Sequence, residues 1–159
     1  MERLWAPWRM AYIDANDGSG GCFLCAAGAR PENDSANLVV WRNENVLCIM
    51  NRFPYNNGHL MVAPLTHTGQ LASLAERERL ALFEGLVDAQ ALLQRVASPH
   101  GFNIGLNLGR AAGAGLADHL HFHVVPRWDG DTNFMPVLAD TKVVPEALSD
   151  LYAKLKNAL

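Results

Sequence analysis

The stretch GLADHLHFHVVPRW, residues 115–128, sets His119, His121 and His123 at alternate positions of an apolar run. The whole chain has 6 histidines, and three of them fall here within five positions. Successive side chains of a β-strand point to opposite faces, so these imidazoles share one face at a spacing of roughly 6–7 Å. Leu120, Phe122 and Val124 fill the other face, which can lie on a core. Imidazoles aligned in this way either hold a metal or handle protons and phosphates.

Working outward, the flanking segments read as further strands. LVVWR (38–42) and NVLCIMN (45–51) are separated by the turn-prone pair Asn43-Glu44, and HLMVAP (59–64) is closed by Pro64. Between the second and third lies FPYNNG, a turn with Asn57-Gly58 as its sharpest signal. From about Ser73 to Ala97 the spacing becomes helical, with Leu74, Leu80, Phe83, Leu86, Val87, Leu93 and Val96 recurring at three- and four-residue steps. Ser98-Pro99 ends that helix, and GFNIGLNL (101–108) is the fourth strand before the histidine strand. The tail from Pro145 reads as a short helix with lysines toward its end. Strands joined by short turns around one long helix predict an α+β fold: a five-stranded antiparallel sheet, one long crossover helix and a short C-terminal helix.

Bulk properties bound the function. A chain of 159 residues, half of them apolar, supports one domain over 1–159. Within it, 1–21 is an N-terminal arm and loop, 22–128 the core and 129–159 a C-terminal extension. A net charge of −3 without a basic stripe argues against nucleic-acid polymers as ligands. No run approaches the roughly 18–20 apolar residues of a membrane span, and MERLWAPWRMAYI is not ordered like a secretion signal. Three cysteines make no disulfide framework, so a cytoplasmic protein with reduced thiols is expected.

CFLC (22–25) raises a metal question, because a Cys-x-x-Cys pair needs two more ligands to complete a tetrahedral site. Candidates are His59, His67, His100 and the triplet; His67 follows the third strand and His119 opens the histidine strand, so both can meet at one sheet edge. The alternative is two buried or loop thiols without metal. A thioredoxin-type pair is disfavoured, since CFLC is followed by Ala-Ala-Gly and a loop rather than set between strand and helix. The glycine loop GRAAGAG (109–115) also has two readings: a tight turn between adjacent strands, or successive N–H groups cradling an anion. Placed directly before three aligned histidines it favours phosphate. Amide donors would hold phosphate oxygens while a neutral imidazole attacks phosphorus.

HLHFHVV resembles the His-x-His-x-His-x-x signature, with hydrophobic x, of the histidine triad nucleotide-binding family. NRFPYNNGHLMVAP, the following helix and GFNIGLNLGRAAGAG are similar to that family's order of elements, over about residues 22 to 128. The flanks RLWAPWRMAYI and PRWDGDTNFMPVLADTKVVPE resemble a bacterial subgroup related to diadenosine tetraphosphate phosphorylases. The resemblance implies cleavage of dinucleoside polyphosphates through a covalent nucleotidyl-histidine, with phosphate or water as acceptor. It makes His121 the nucleophile, His123 a phosphate contact that positions it, and His59 a relay member behind the site. It places Asn51 on the ribose, Asn107 near the scissile phosphate and the Ala114 and Gly115 amides on its oxygens. In zinc-bearing relatives the metal ligands correspond to Cys22, Cys25, His67 and His119. Many family hydrolases have Gly-Gln-Thr or Gly-Gln-Ser before the triad where this chain has GAGLAD, which leaves mostly backbone donors for phosphate. The resemblance also implies a homodimer with a continuous sheet, extending in this subgroup to a tetramer.

Plainer readings cover the remaining features. Trp5, Trp8, Trp41 and Trp128 read as packing or interface residues rather than base-stacking platforms, Glu76 to Arg79 as a solvated helix face, His100 as a loop residue and Cys48 as a small buried hydrophobe. Two rival functions stand beside the enzyme. One is a nucleotide-binding or zinc-carrying interaction module of the same fold, which has no need for an intact triad. The other makes all three triad histidines ligands of one catalytic metal, for which three side chains on one straight strand converge poorly.

Overall fold

The computed structural model describes residues 21–131 and 146–159. The readings placed on Trp5, Trp8 and the segment 132–145 lie outside these residues. The elements run α1 (Phe23–Ala29), the single turn α2 (Asp34–Asn37), β1 (Val39–Arg42), β2 (Val46–Met50), β3 (Leu60–Pro64), α3 (Glu76–Ala97), β4 (Gly101–Leu106), β5 (Phe122–Arg127) and α4 (Leu148–Asn157). The strands form one sheet in the order β1-β2-β3-β5-β4, with every neighbouring pair antiparallel. This is the expected α+β architecture, with α3 as the crossover. Among the described residues no helix is long and apolar enough to cross a membrane.

Two cores follow from the period of two. Val40, Val46, Cys48, Met50, Leu60, Val62 and Val124 face α3 and α4, packing with Leu82, Leu86, Leu92, Leu93, Leu151 and Leu155. The intervening residues Val39, Leu47, Ile49, Met61 and Ala63 face the other way, onto Leu24 and Ala27 of α1. Both faces of β2 and β3 are therefore buried, which is why those strands are apolar throughout rather than alternating.

CFLC opens a helix. Cys22 is the N-cap of α1, its Sγ accepting from the Cys25 N–H at 3.4 Å, and the alanines that follow sustain the helix. Arg42 closes the other end, donating to Gly28 O at 2.9 Å and Ala27 O at 3.0 Å and pairing with Asp34.

α3 starts later than its periodicity suggests, after a 3₁₀ turn at Leu71–Ser73, where Glu78 accepts the Ala75 N–H at 2.7 Å. Its buried stripe is Leu82, Leu86, Ala89, Leu92 and Leu93, whereas Leu80, Phe83 and Val87 are 62%, 67% and 48% exposed. The helix is apolar over more than one face, so spacing alone merged an inner stripe with an outer one. Gly85 selects the inner face, because a Cβ there would lie 3.0 Å from Val62 and 3.1 Å from Trp41.

The histidine strand is also shorter than expected. β5 begins at Phe122, so of the triad only His123 lies in the ladder, opposite Met61 and Gly105. Pro64 ends β3, and beyond the Val62–Phe122 pair the chain is held instead by Leu120 N donating to Thr68 O at 2.7 Å. The alternation survives the loss of the ladder: Leu120 and Phe122 still pack on the α3 core.

Candidate active site and metal corner

α1 covers β1 to β3 on the second face, and the triad emerges beside it on the same face. His119 and His121 are 1% and 6% exposed. His121 Nδ1 lies 2.9 Å from His119 O. A carbonyl only accepts, so the proton of neutral His121 sits on Nδ1 and the Nε2 lone pair is bare. Burial, opposed by that hydrogen bond, lowers the His121 pKa below 6.5. A buried, neutral imidazole with one fixed tautomer can act as a nucleophile through its bare nitrogen.

His59 and His123 extend the arrangement. The Tyr55 N–H donates to His59 Nδ1 at 3.0 Å, which puts the His59 proton on Nε2. His59 Nε2 lies 2.9 Å from His123 Nδ1, so it donates there and leaves the His123 proton on Nε2. The His123 and His121 rings meet edge to face, 5.0 Å between centroids. Gly105, opposite His123 in β4, has open space where a side chain would stand. The sequence reading placed His59 here but missed Tyr55, whose backbone sets the tautomer and whose ring lies 4.6 Å from His59 and 5.5 Å from His123. FPYNNG signalled only a turn.

His119 belongs to a different group. Its Nε2–H donates to Pro64 O at 2.8 Å, which leaves Nδ1 bare. That nitrogen is 3.1 Å from Cys22 Sγ, 3.5 Å from Cys25 Sγ and 3.2 Å from His67 Nδ1, and Cys25 Sγ is 3.3 Å from His67 Nδ1. All four donor atoms lie within 4.8 Å of one another. A tetrahedron with metal–sulfur bonds of about 2.3 Å and metal–nitrogen bonds of about 2.0–2.1 Å has edges of roughly 3.3–3.8 Å, close to these separations. The donor set and the backbone carbonyl behind His119 fit a closed tetrahedral metal site. Burial, then Cys22 beside it, pushes the Cys25 thiol up to about 11, so a cation must displace its proton. The loop carrying His67 is seated by Gly69, whose Cβ would lie 2.4 Å from Ala117 O. His59 and His100 are not part of this cluster; His100 is exposed, its Nδ1 accepting the Asp129 N–H at 3.0 Å.

The proposed nucleotide contacts are distributed as follows. Asn51 is buried at the end of β2, with its Oδ1 accepting the Phe53 N–H at 2.9 Å, so the side-chain amide N–H groups are what it can offer a ligand. Asn107 Nδ2 reaches Gly113 O at 3.4 Å and ties the end of β4 to the glycine loop. The Ala114 N–H points to Gly109 O at 3.3 Å, whereas the Gly115 N–H makes no hydrogen bond among the described residues. Of the two expected amide donors, Gly115 is the one open to an anion. Cys48 is wholly buried, as read. Of the remaining tryptophans, Trp41 packs against the larger core, and Trp128 donates to Ala97 O at 3.3 Å.

Comparison with known proteins agrees with this geometry. Residues 31–130 match the HIT domain family. A Mycobacterium tuberculosis protein named AP-4-A phosphorylase is 41% identical over 156 residues, spanning 94% of this chain and 80% of that protein. A Schizosaccharomyces pombe bis(5'-nucleosyl)-tetraphosphatase (asymmetrical) is 30% identical over 93 residues, 58% of this chain and 50% of that one. Among solved structures, a zinc-bound histidine triad family protein from Mycobacterium smegmatis superposes with a TM-score of 0.69 at 27% identity, covering 87% of this chain and 92% of that one. On the domain match and the extent of the shared sequence, the chain belongs to the histidine triad (HIT) family.

Proposed function

We propose that the protein is a nucleotidyl transferase that cleaves dinucleoside polyphosphates such as diadenosine tetraphosphate through a nucleotidyl-His121 intermediate. The observation that carries this reading is the 2.9 Å contact of His121 Nδ1 with His119 O, which leaves Nε2 as a free lone pair on a buried neutral ring. His121 Nε2 attacks the α-phosphorus; an N–P bond forms, the bond to the bridging oxygen breaks, and the remaining nucleoside polyphosphate departs. His123 Nε2–H is the donor placed to hold or protonate an oxygen of that phosphate. His59 holds His123 in the required tautomer, and the Gly115 N–H and Asn107 steady the phosphate oxygens, with Ala114 able to join only by releasing Gly109. Asn51 takes the ribose. Phosphate or water then attacks the phosphorus, the N–P bond breaks, and His121 is restored. The kinship with a protein named AP-4-A phosphorylase supports phosphate as that acceptor.

We further propose zinc as the resident metal, held by Cys22, Cys25, His67 and His119. Four protein ligands leave no open position, so the metal supplies rigidity rather than chemistry, tying α1 to the triad. We take 1–159 as a single domain that forms a homodimer, a reading that the two sheet edges support. β1 is covered, Tyr152 donating to Val39 O at 3.0 Å and Lys156 to Val40 O at 2.8 Å. β4 exposes Asn103, Ile104 and Gly105, and α3 exposes Leu80, Phe83 and Val87. A strand edge that no other strand covers among the described residues is a pairing surface, and a two-fold axis there would continue the sheet. Ile104→Lys should then halve the mass in solution; an unchanged mass would place the interface elsewhere. A tetramer and a reduced, cytoplasmic setting complete the proposal.

The experiment is incubation with diadenosine tetraphosphate, with and without inorganic phosphate. ADP and ATP formed only with phosphate establish the phosphorylase, and AMP and ATP formed without it establish a hydrolase. Binding without turnover would overturn nucleotidyl transfer and leave a nucleotide-binding module.

A further inference from the structure

We propose that Asp131, outside the site, is a positioning residue for the reaction: its carboxylate fixes the turn that sets the tautomers of His59 and His123. The inference rests on the relay described above and extends it beyond the histidines.

The turn between β2 and β3 is closed by its own backbone. Asn51 N donates to His59 O at 2.9 Å, His59 N to Asn56 O at 3.2 Å, and Tyr55 N to His59 Nδ1 at 3.0 Å. The last of these decides where the His59 proton resides, so the position of residues 55 and 56 is a chemical variable. Those residues are docked on the far end of β5. Asn56 Nδ2 donates to Asp131 Oδ2 at 2.8 Å and to Pro126 O at 3.1 Å. Gly58, at φ +78°, comes so near Pro126 that a Cβ would lie 3.0 Å from its ring.

Asp131 is itself held firmly. Its side chain is 9% exposed, and Arg127 grips it in a two-pronged pair, Nε to Oδ2 at 2.6 Å and Nη2 to Oδ1 at 2.7 Å. The Trp128 N–H adds a third donor to Oδ2 at 3.1 Å. Arg127 Nη1 continues to Asn103 Oδ1 on β4 at 2.8 Å. A bidentate guanidinium–carboxylate pair is rigid, so the amide of Asn56 is anchored to β4 and β5 together. The two strands that carry His123 and its neighbour Gly105 thereby also carry the turn that orients His59. Without the carboxylate, the Asn56 Nδ2 donor keeps only Pro126 O, the turn loosens, and the Tyr55 N–H can leave His59 Nδ1. The His59 proton can then sit on either nitrogen, and the donor to His123 is lost in part of the population.

The test reads tautomers directly. Histidine-¹⁵N-labelled protein, at a pH where the imidazoles are neutral, should show His59 and His123 each protonated at Nε2 alone. Asp131→Ala should turn the His59 signals into a mixture of tautomers. Its kcat should fall about tenfold with KM within about twofold, the pattern of a lost transition-state interaction. Asn56→Ala should give the same spectrum, and the double variant should be no worse than either single one, because both break one link. Tyr55→Ala, which keeps the backbone N–H, should keep the wild-type tautomers. Wild-type tautomers in Asp131→Ala, or additive losses in the double variant, would overturn the proposal and leave Asp131 a stabiliser of the β5 end. The spectra need no turnover, so a failure of the nucleotidyl-transfer reading and a failure of this one are separately visible.

Discussion

His119 and His123 flank His121 at the same spacing in sequence, yet the fold uses them oppositely. His119 has its Nε2–H tied to Pro64 O, and its bare Nδ1 meets two thiols and His67. His123 accepts at Nδ1 from His59 and presents Nε2–H. One ring is set to give an electron pair to a cation, the other to give a proton or hydrogen bond to an anion. His121, between them, hangs from the backbone carbonyl of the metal-side residue and touches the ring of the relay-side residue. The three identical residues differ in which nitrogen is engaged and in whether it donates or accepts: His119 donates at Nε2 and His121 at Nδ1 to backbone carbonyls, whereas His123 accepts at Nδ1 from His59.

The largest effect that can break this contrast is at the centre. His121→Ala should lower turnover by at least about a thousandfold while nucleotide affinity changes little and metal content stays full. Turnover kept within about tenfold would move the nucleophile elsewhere. The two sides should then separate. His123→Ala should cost about a hundredfold in turnover with little change in stability. Cys22→Ser should do the reverse, with zinc lost, thermal midpoint down by roughly 5–10 °C and turnover down by less than about tenfold. Elemental analysis of untagged protein and calorimetry check both. Equal losses of activity on the two sides would erase the distinction.

The contrast was only partly legible in the sequence. Apolar runs bounded by Gly-, Pro- and Asn-marked turns, alternating only in the histidine strand, located the five strands to within a few residues. Spacing could not separate the stripes of α3, because Leu80 and Phe83 are as apolar as Leu82 and Leu86 and only the packing of Gly85 on Val62 and Trp41 distinguishes them. Cys22, Cys25, His67 and His119 were nameable from the family resemblance, and the fold brings all four together. Tyr55, Asn56 and Asp131 were not, because their part is played by a backbone N–H, an amide and a carboxylate that meet across 75 positions of sequence. The strand boundary at Phe122 was hidden for a similar reason: it depends on where β3 stops.

The smallest predicted effect concerns pH. Burial holds the His121 pKa below 6.5, so the folded protein resists a proton that the unfolded chain accepts. This contribution to stability is whole above pH 6.5 and is lost as the pH falls from there through the folded value. Turnover should follow, with its acid limb below 6.5. An acid limb above that value would mean that the essential base is not this buried ring.

The most direct measurement is the intact mass of the protein trapped during turnover of diadenosine tetraphosphate without added phosphate, denatured without acid so that an N–P bond survives. The account predicts one added adenylyl group per chain, located at His121 by peptide mapping, absent from His121→Ala and discharged by phosphate. Turnover with no adduct, or an adduct that persists in His121→Ala, would contradict it.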